Sequence, residues 1–324
     1  MTRTTNFGFD TTASEVVSSF ADRVRGRVFL VTGPSEGGLG AEVALALARS
    51  PDPPAALLLV GRGSAERYAS LVSAIKSEHP DASLDVRVYA GVDLSDLSSV
   101  RAGARAITTD WTDRGIDVLV NNAGVFGLHE RVLSVDGIEQ HFAANYVGHF
   151  LLTNLLVPLL LKTSEPRVVN VTSLLHMWAS GNFTDYNFDK TTYSWRVGYA
   201  QSKLANIYFS RHLASVLGSR GLTAFSPHPG AAYATNVFRE FPPEEFSAIR
   251  AEGVAALGIR AKTTSQGAAT IVLAALDPAL AQHNGAYLVD CKEADVQGAG
   301  AQNEVGPGAL WRLSESLVNE RFLY

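Results

Sequence analysis

Cysteine occurs once in these 324 residues, at Cys291, and methionine only twice. One thiol cannot build an internal disulfide framework, and it leaves no cysteine set for a structural zinc ion. A reducing, cytoplasmic compartment is therefore expected. Charge is scarce as well: 18% of residues are Asp, Glu, Lys or Arg, and the net charge is −5. Such a chain carries no broad basic face, so nucleic acid is not an expected partner. The most apolar run, "FLLTNLLVPLLL" (150–161), is interrupted by Asn154 and Pro158. It is too short to cross a bilayer and reads as a buried helix. Segment 1–26 lacks the apolar core of a signal peptide, and no membrane partner is expected. It reads instead as an extension with a short helix. Thr12 and Glu15 stand there at capping-box spacing, ahead of Val16, Val17 and Phe20.

What the chain does have is apolar residues, 46% of the total, arranged in alternating strand-like and helix-like stretches. "RVFLVTG" (27–33), "AALLLVG" (55–61), "LDVRVYA" (84–90), "IDVLVNNAG" (116–124), "RVVNVTS" (167–173) and "LTAFSPHPG" (222–230) read as strands. A last strand is expected at "AYLVD" (286–290). Helical patterns follow at 38–50, 64–78, 95–109, the region of Asn145, and 196–218. The strands are apolar on both faces, as parallel strands covered by helices must be. The predicted fold is α/β: a doubly wound parallel sheet, or Rossmann fold, forming one domain over 27–324. Ligands of such sheets bind beyond the carboxyl ends of the strands. Thr32, Gly33, Gly61, Arg62, Asp93, Asn122, Ser173, Pro229 and Gly230 all stand at such ends.

"VTGPSEGGLGAE" (31–42) joins the first strand to the first helix. Glycines there permit a tight turn and a close approach of backbone to a pyrophosphate, which the N–H groups of the helix N-terminus attract. The second strand ends "LVGRG" with no acid to meet a free ribose 2′-hydroxyl. Arg62 stands where a 2′-phosphate would need a cation, which favours NADP(H) over NAD(H).

Two tyrosines are each followed by a lysine four residues on: Tyr186/Lys190 and Tyr199/Lys203. One helical turn would place each pair on one face. A nearby ammonium favours the phenolate and makes a tyrosine a usable proton donor or acceptor.

The chain resembles the short-chain dehydrogenase/reductase family along nearly its whole length. The likeness is carried, in order, by "TGPSEGGLG" (32–40), "DL" (93–94), "NNAG" (121–124), "NYVGHF" (145–150), "VNVTS" (169–173), "YAQSK" (199–203) and "HPG" (228–230). "NYVGHFLLTNLL" and "YAQSKLANI" look closest to the retinol-dehydrogenase-like branch and to similar fungal reductases. Membrane members of that branch carry an N-terminal apolar anchor, which this sequence does not show.

The resemblance implies that Gly33, Ser35, Gly38, Leu39 and Gly40 surround the pyrophosphate. Asp93 and Leu94 would meet the adenine. Asn122, Ala123 and Gly124 would flank the ribose, and Pro229, Gly230 and Thr235 the nicotinamide. It implies a catalytic set of Asn145, Ser173, Tyr199 and Lys203, with Asn145 kinking its helix and supporting a relay water. Asn121 reads as a strand-to-strand hydrogen bonder. No metal is implied. The glycine loop is one residue longer than the family's usual pattern, so either Gly37 or Gly38 could approach the phosphate. Thr235 likewise lies one position later than usual.

The family's commoner serine-to-tyrosine spacing fits Ser173 with Tyr186, yet the local physics favours Tyr199. "TDYNFDKTTYSW" is rich in turn formers and has no helical period. From Tyr199 onward, Ala200, Leu204, Ile207, Tyr208, Leu213 and Val216 recur at three- and four-residue steps. Tyr199 and Lys203 are the expected catalytic pair. Tyr199 would donate a proton to a carbonyl oxygen and Ser173 a hydrogen bond, while Lys203 lowers the Tyr199 pKa and holds the ribose. Thr172 is the alternative hydroxyl if the strand register slips by one.

Two segments are expected to shape the substrate site, about 177–198 and 231–262. The first carries Met177, Trp178, Phe183, Tyr186, Phe188, Tyr193 and Trp195; the second carries Tyr233, Phe238, Phe241 and Phe246. They suggest a roomy apolar pocket for a bulky ketone or aldehyde, or the matching alcohol. Two other classes remain open: non-redox chemistry on the same fold, such as epimerisation or dehydration, and a non-catalytic NADP(H)-binding protein. The apolar residues Ile207, Phe209 and Leu217 suit a homodimer face, unless the extension 1–26 covers them.

Overall fold

Val28–Thr32 forms β1, and each of its five residues is buried, because strands and helices cover it on every side. In the computed structural model, which describes residues 6–80, 84–235, 238 and 241–324, seven further strands join it. They are β2 (Ala56–Gly61), β3 (Asp85–Ala90), β4 (Val118–Asn121), β5 (Arg167–Asn170), β6 (Thr223–His228), β7 (Tyr287–Val289) and β8 (Lys292–Ala294). The sheet order is β3-β2-β1-β4-β5-β6-β7-β8. All pairings are parallel except β7–β8. Val31 pairs with Leu59 on one side and Val120 on the other. Strand order reverses at β1, which opens a crevice above its carboxyl end.

The helices are α1 (Ala13–Ser19), α2 (Leu39–Ala48), α3 (Ala69–Glu78), α4 (Leu97–Trp111), α5 (Gln140–Leu160), α6 (Trp195–Leu217), α7 (Pro243–Leu257), α8 (Thr264–Leu276) and α9 (Gly306–Val318). One face of the sheet carries α4, α5, α6 and α9; the other carries α1, α2, α3 and α8. Helix α5 is long and apolar enough to cross a membrane, but 89% of its most apolar window is buried inside the fold. It is a core helix.

Several expectations need correction. β3 is not apolar on both faces: it is an edge strand, with Arg87 and Ala90 exposed. The extension does form its short helix, with both arms of the Thr12/Glu15 capping box in place. That box contributes about 1 kcal/mol. The helix packs on α8 and α2, however, on the face away from α6. Helix α6 is covered instead by several elements, among them α9 near the C-terminus. Ile207, Phe209 and Leu217 are 0–1% exposed, and Trp311 of α9 packs 6.1 Å from the Phe209 ring. The face reserved for a homodimer is therefore buried within one chain. The second substrate segment, expected as a loop, contains α7; its residues 236, 237, 239 and 240 lie outside the described residues.

Candidate active site

The glycine loop works by close approach. Gly33 has φ +67°, and a Cβ there would fall 2.7 Å from the Cα of Ala123. Gly37, at φ +72°, supplies the extra turn of the lengthened loop. Gly38 is then the N-cap of α2, with no side chain capping the helix, and faces the large cavity above the sheet. This resolves which of the two adjoins the cavity. Gly40 does not line it. Its place is packing, since a Cβ there would sit 2.6 Å from the Gly33 carbonyl oxygen. The uncapped N–H groups of α2 above a positive-φ glycine cradle fit a pyrophosphate.

The cavity, about 810 Å3, runs from this loop across the carboxyl ends of the strands. Gly33, Ser35, Gly38, Leu39, Arg62, Asp93, Leu94, Asn122, Ala123, Gly124, Ser173, Tyr199, Lys203, Pro229, Gly230 and Thr235 all line it. The Arg62 guanidinium lies 3.9 Å from the Asp93 carboxylate at the rim. Arg67 lines the same rim, a cation that sequence reasoning missed because it lies in a short 3-10 turn (Ala65–Tyr68). Asn122 has a double duty: its Nδ2 donates to the Thr32 carbonyl at 2.9 Å, which locks the glycine loop to β4. Asn121 bridges strand to helix and strand to strand, donating to Thr153 Oγ1 and Asn170 Oδ1 at 2.8 Å each.

Asn145 lies behind Gly124 rather than in the cavity wall. Its helix opens into a π-turn at Ala143–Val147, the distortion expected of it. Its side chain accepts from the Val125 N–H at 2.7 Å and donates to the Val125 carbonyl and to Ser202 Oγ, each at 3.0 Å. Beneath it, the buried His149 was not foreseen. Its Nδ1 lies 3.1 Å from the Asn145 carbonyl oxygen and its Nε2 2.8 Å from Thr32 Oγ1. Thr32 Oγ1 in turn accepts the N–H groups of Asn122 and Ala123. Burial pushes His149 down to about 4, so it is neutral. A lone histidine in an apolar helix gives no sequence signal of that role.

Tyr199 and Lys203 stand one turn apart on α6 at the cavity floor. Tyr199 is half-buried, edge-on to the Phe126 ring at 4.6 Å. Burial pushes its phenol up to about 12, partly offset by a hydrogen bond with Ser173. Lys203 is brought down to about 8 by burial, and its Nζ donates to the Val171 carbonyl at 3.1 Å. The expected lowering of Tyr199 by Lys203 does not appear: burial dominates, only Ser173 opposes it, and the phenol keeps its proton at neutral pH. Thr172, the alternative hydroxyl, is committed to the Lys203 carbonyl at 2.7 Å. The decoy pair separates. Tyr186 stacks on Phe142 at 5.3 Å, and Lys190 sits in a loop wound around the Asp185 carboxylate.

The aromatic segments divide. Trp178, Trp195, Tyr233 and Phe238 reach the cavity, joined by Phe126 from the loop after β4. Phe183 and Tyr186 instead pack on Phe142 in the core, and Phe188 packs on Tyr193. Phe241 and Phe246 back the wall from behind. Among the described residues no His/Cys/Asp/Glu cluster could hold a metal ion.

Comparison with known proteins agrees with this geometry. A family model described as short chain dehydrogenase matches residues 27–245. The chain is 33% identical over 297 residues to retinol dehydrogenase 12 of Bos taurus, covering 92% of this chain and 88% of that one. It is 33% identical over 313 residues to the short-chain dehydrogenase/reductase prx1 of Penicillium roqueforti, covering 92% and 86%. Among solved structures, a putative uncharacterized protein from Mycobacterium paratuberculosis superposes with a TM-score of 0.69 at 28% identity, covering 97% and 100%. An NADPH-bound carbonyl reductase from chicken fatty liver shares the fold with a TM-score of 0.61 at 19% identity, covering 83% and 99%. The chain belongs to the short-chain dehydrogenase/reductase family, as an oxidoreductase acting between CH–OH and C=O groups with a nicotinamide cofactor.

Proposed function

We propose that this oxidoreductase uses NADP(H) to reduce the carbonyl of a bulky, poorly polar ketone or aldehyde, or to oxidise the matching alcohol. The observation that carries this reading is that Ser173, Tyr199 and Lys203 together line one aromatic-walled cavity. The cofactor supplies or takes up the hydride when bound. The protein's own residues manage the proton and the charge. Tyr199, fully protonated at neutral pH, gives its proton to the oxygen on which negative charge develops. Ser173 donates a second hydrogen bond to the same oxygen. Lys203 holds the ribose side with its ammonium, and Asn145, braced by Val125 and Ser202, keeps the π-turn in register behind it.

The preference for NADP(H) rests on Arg62 and Arg67 at the cavity rim, where guanidinium groups suit a 2′-phosphate, and on the absence of an acid at the end of β2. The substrate class rests on Phe126, Trp178, Trp195, Tyr233 and Phe238. A direct test is absorbance-monitored oxidation of NADPH and of NADH with all-trans-retinaldehyde, decanal and phenanthrenequinone, with product analysis. Turnover with NADPH on at least one of them is expected. A product isomerised or dehydrated with no net cofactor oxidation would overturn the reading, and so would a preference for NADH.

A further inference from the structure

Ser173 is held by its side chain, whose Oγ accepts the Leu175 backbone N–H at 3.2 Å, and by its main chain. Its carbonyl accepts the backbone N–H of His176 at 3.1 Å and lies 2.6 Å from His176 Nδ1. The next N–H, of Leu174, donates to His228 Nδ1 at 3.2 Å. The His176 ring is fully buried, edge-on to Tyr287 at 5.0 Å. Its other nitrogen, Nε2, accepts the backbone N–H of Gln297 at 3.2 Å. A backbone N–H can only donate, so Nε2 carries no proton. The ring proton therefore sits on Nδ1, where it faces the Ser173 carbonyl, and the neutral tautomer is fixed by its two partners. Burial, helped by the Arg211 guanidinium and opposed by the bond to Ser173, leaves His176 below its ordinary value, in keeping with that state. The segment that supplies Gln297 is pressed onto the same turn: Gly298 has φ +85°, and a Cβ there would fall 2.1 Å from the Met177 carbonyl oxygen.

We propose that His176 is a positioning residue, which aims the Ser173 hydroxyl at Tyr199 by tying the Ser173 carbonyl to the C-terminal segment at Gln297. The inference rests on the carbonyl-reducing role proposed above. It makes the chain beyond β8, remote in sequence from every catalytic residue, part of the catalytic architecture. Loss of the tie would let the 3-10 turn at Leu174–Trp178 relax and shift the hydroxyl, while the cofactor end of the cavity stays as it is.

Three variants separate the bonds. His176→Asn keeps a donor near the Nδ1 position, His176→Gln keeps an acceptor near the Nε2 position, and His176→Phe keeps only the shape. With NADPH and retinaldehyde, kcat should fall about tenfold or more in the Phe and Gln variants, since small misplacements of a catalytic group are costly. It should stay within about threefold in the Asn variant, with the KM for retinaldehyde and the affinity for NADPH nearly unchanged in all three. Equal kcat in wild type and His176→Phe, equal losses in the Asn and Phe variants, or a parallel loss of NADPH affinity would overturn the proposal. Should the variants fail to fold, 15N spectra of histidine-labelled wild type provide a second test. A His176 signal of the Nδ1–H tautomer supports the tie, and the Nε2–H tautomer or the cation overturns it. A wild type with that tautomer that reduces no carbonyl would sink the proposed activity, not the tie.

Discussion

The Nζ of Lys203 lies 5.6 Å from the centre of the Tyr199 ring and donates to the Val171 carbonyl at 3.1 Å. The ammonium is therefore held by the strand end at the cavity floor, beside the Tyr199 ring. Its charge is conditional on pH.

Burial lowers Lys203 to about 8, so the ammonium is complete below that value and lost above it. Tyr199, raised to about 12, keeps its proton throughout this range. Reduction should accordingly be flat on the neutral side and decline as the pH rises through about 8. A pH profile of kcat/KM checks this, and a reductive rate that rises through that range would contradict it.

Tyr199→Phe should lower kcat by about a hundredfold or more, the usual loss of a positioned proton donor, with NADPH binding intact. Tyr186→Phe keeps the ring that stacks on Phe142 and should change the rate by less than about twofold. Side-by-side steady-state kinetics decide. If the Tyr186 variant were the dead one, the assignment of the catalytic pair would be wrong.

Arg62→Ala and Arg67→Ala should each weaken NADPH binding about tenfold or more, the scale of one charged hydrogen bond. NADH, which has no 2′-phosphate, should bind both variants almost as it binds the wild type. Fluorescence titrations of the two cofactors measure the difference. Equal losses for both cofactors would remove Arg62 and Arg67 from the argument.

Light scattering should find the full chain to be a monomer of 34.6 kDa, because α9 covers the face of α6 through which a partner would pack. Trp311→Ala, which empties a site beside Phe150 and Phe209, should cost about 3–5 kcal/mol of stability. A stable dimer of the unaltered chain would show that pairing uses some other surface.

The parts legible in the sequence are those where one residue type answers to one physical demand. β1, β2 and β4 are buried on both faces and read as unbroken apolar runs. The Tyr199/Lys203 pair could be chosen over Tyr186/Lys190 because only one of them sits in a helical period. β8 was not legible. It is a short, exposed strand, and the turn before it places Asp290 and Cys291 at positive φ (49° and 60°), with no Asn-Gly or Asp-Gly pair to announce it. Nor was the fate of the aromatics in 177–198 legible. Phe183 and Tyr186 meet Phe142, 41 and 44 positions earlier in the chain, and no local pattern encodes that distance. His149 and His176 share the difficulty: each is defined by partners that the fold, not the sequence, brings together.

The π-turn at Ala143–Val147 amounts to one supernumerary residue inserted into a helix. An α-helix rotates by about 100° per residue, so the insertion sets the short first turn of α5, Gln140–Phe142, out of phase with the thirteen residues behind it. The front segment carries His141, paired with the N-cap Glu139 and with its ring 6.0 Å from Tyr199, and the longer back segment carries Phe150 into the core. Deleting one residue here would leave a continuous helix but swing the front segment by more than a quarter turn. A change in the length of this stretch therefore misaligns the segment ahead of the π-turn with the core behind it.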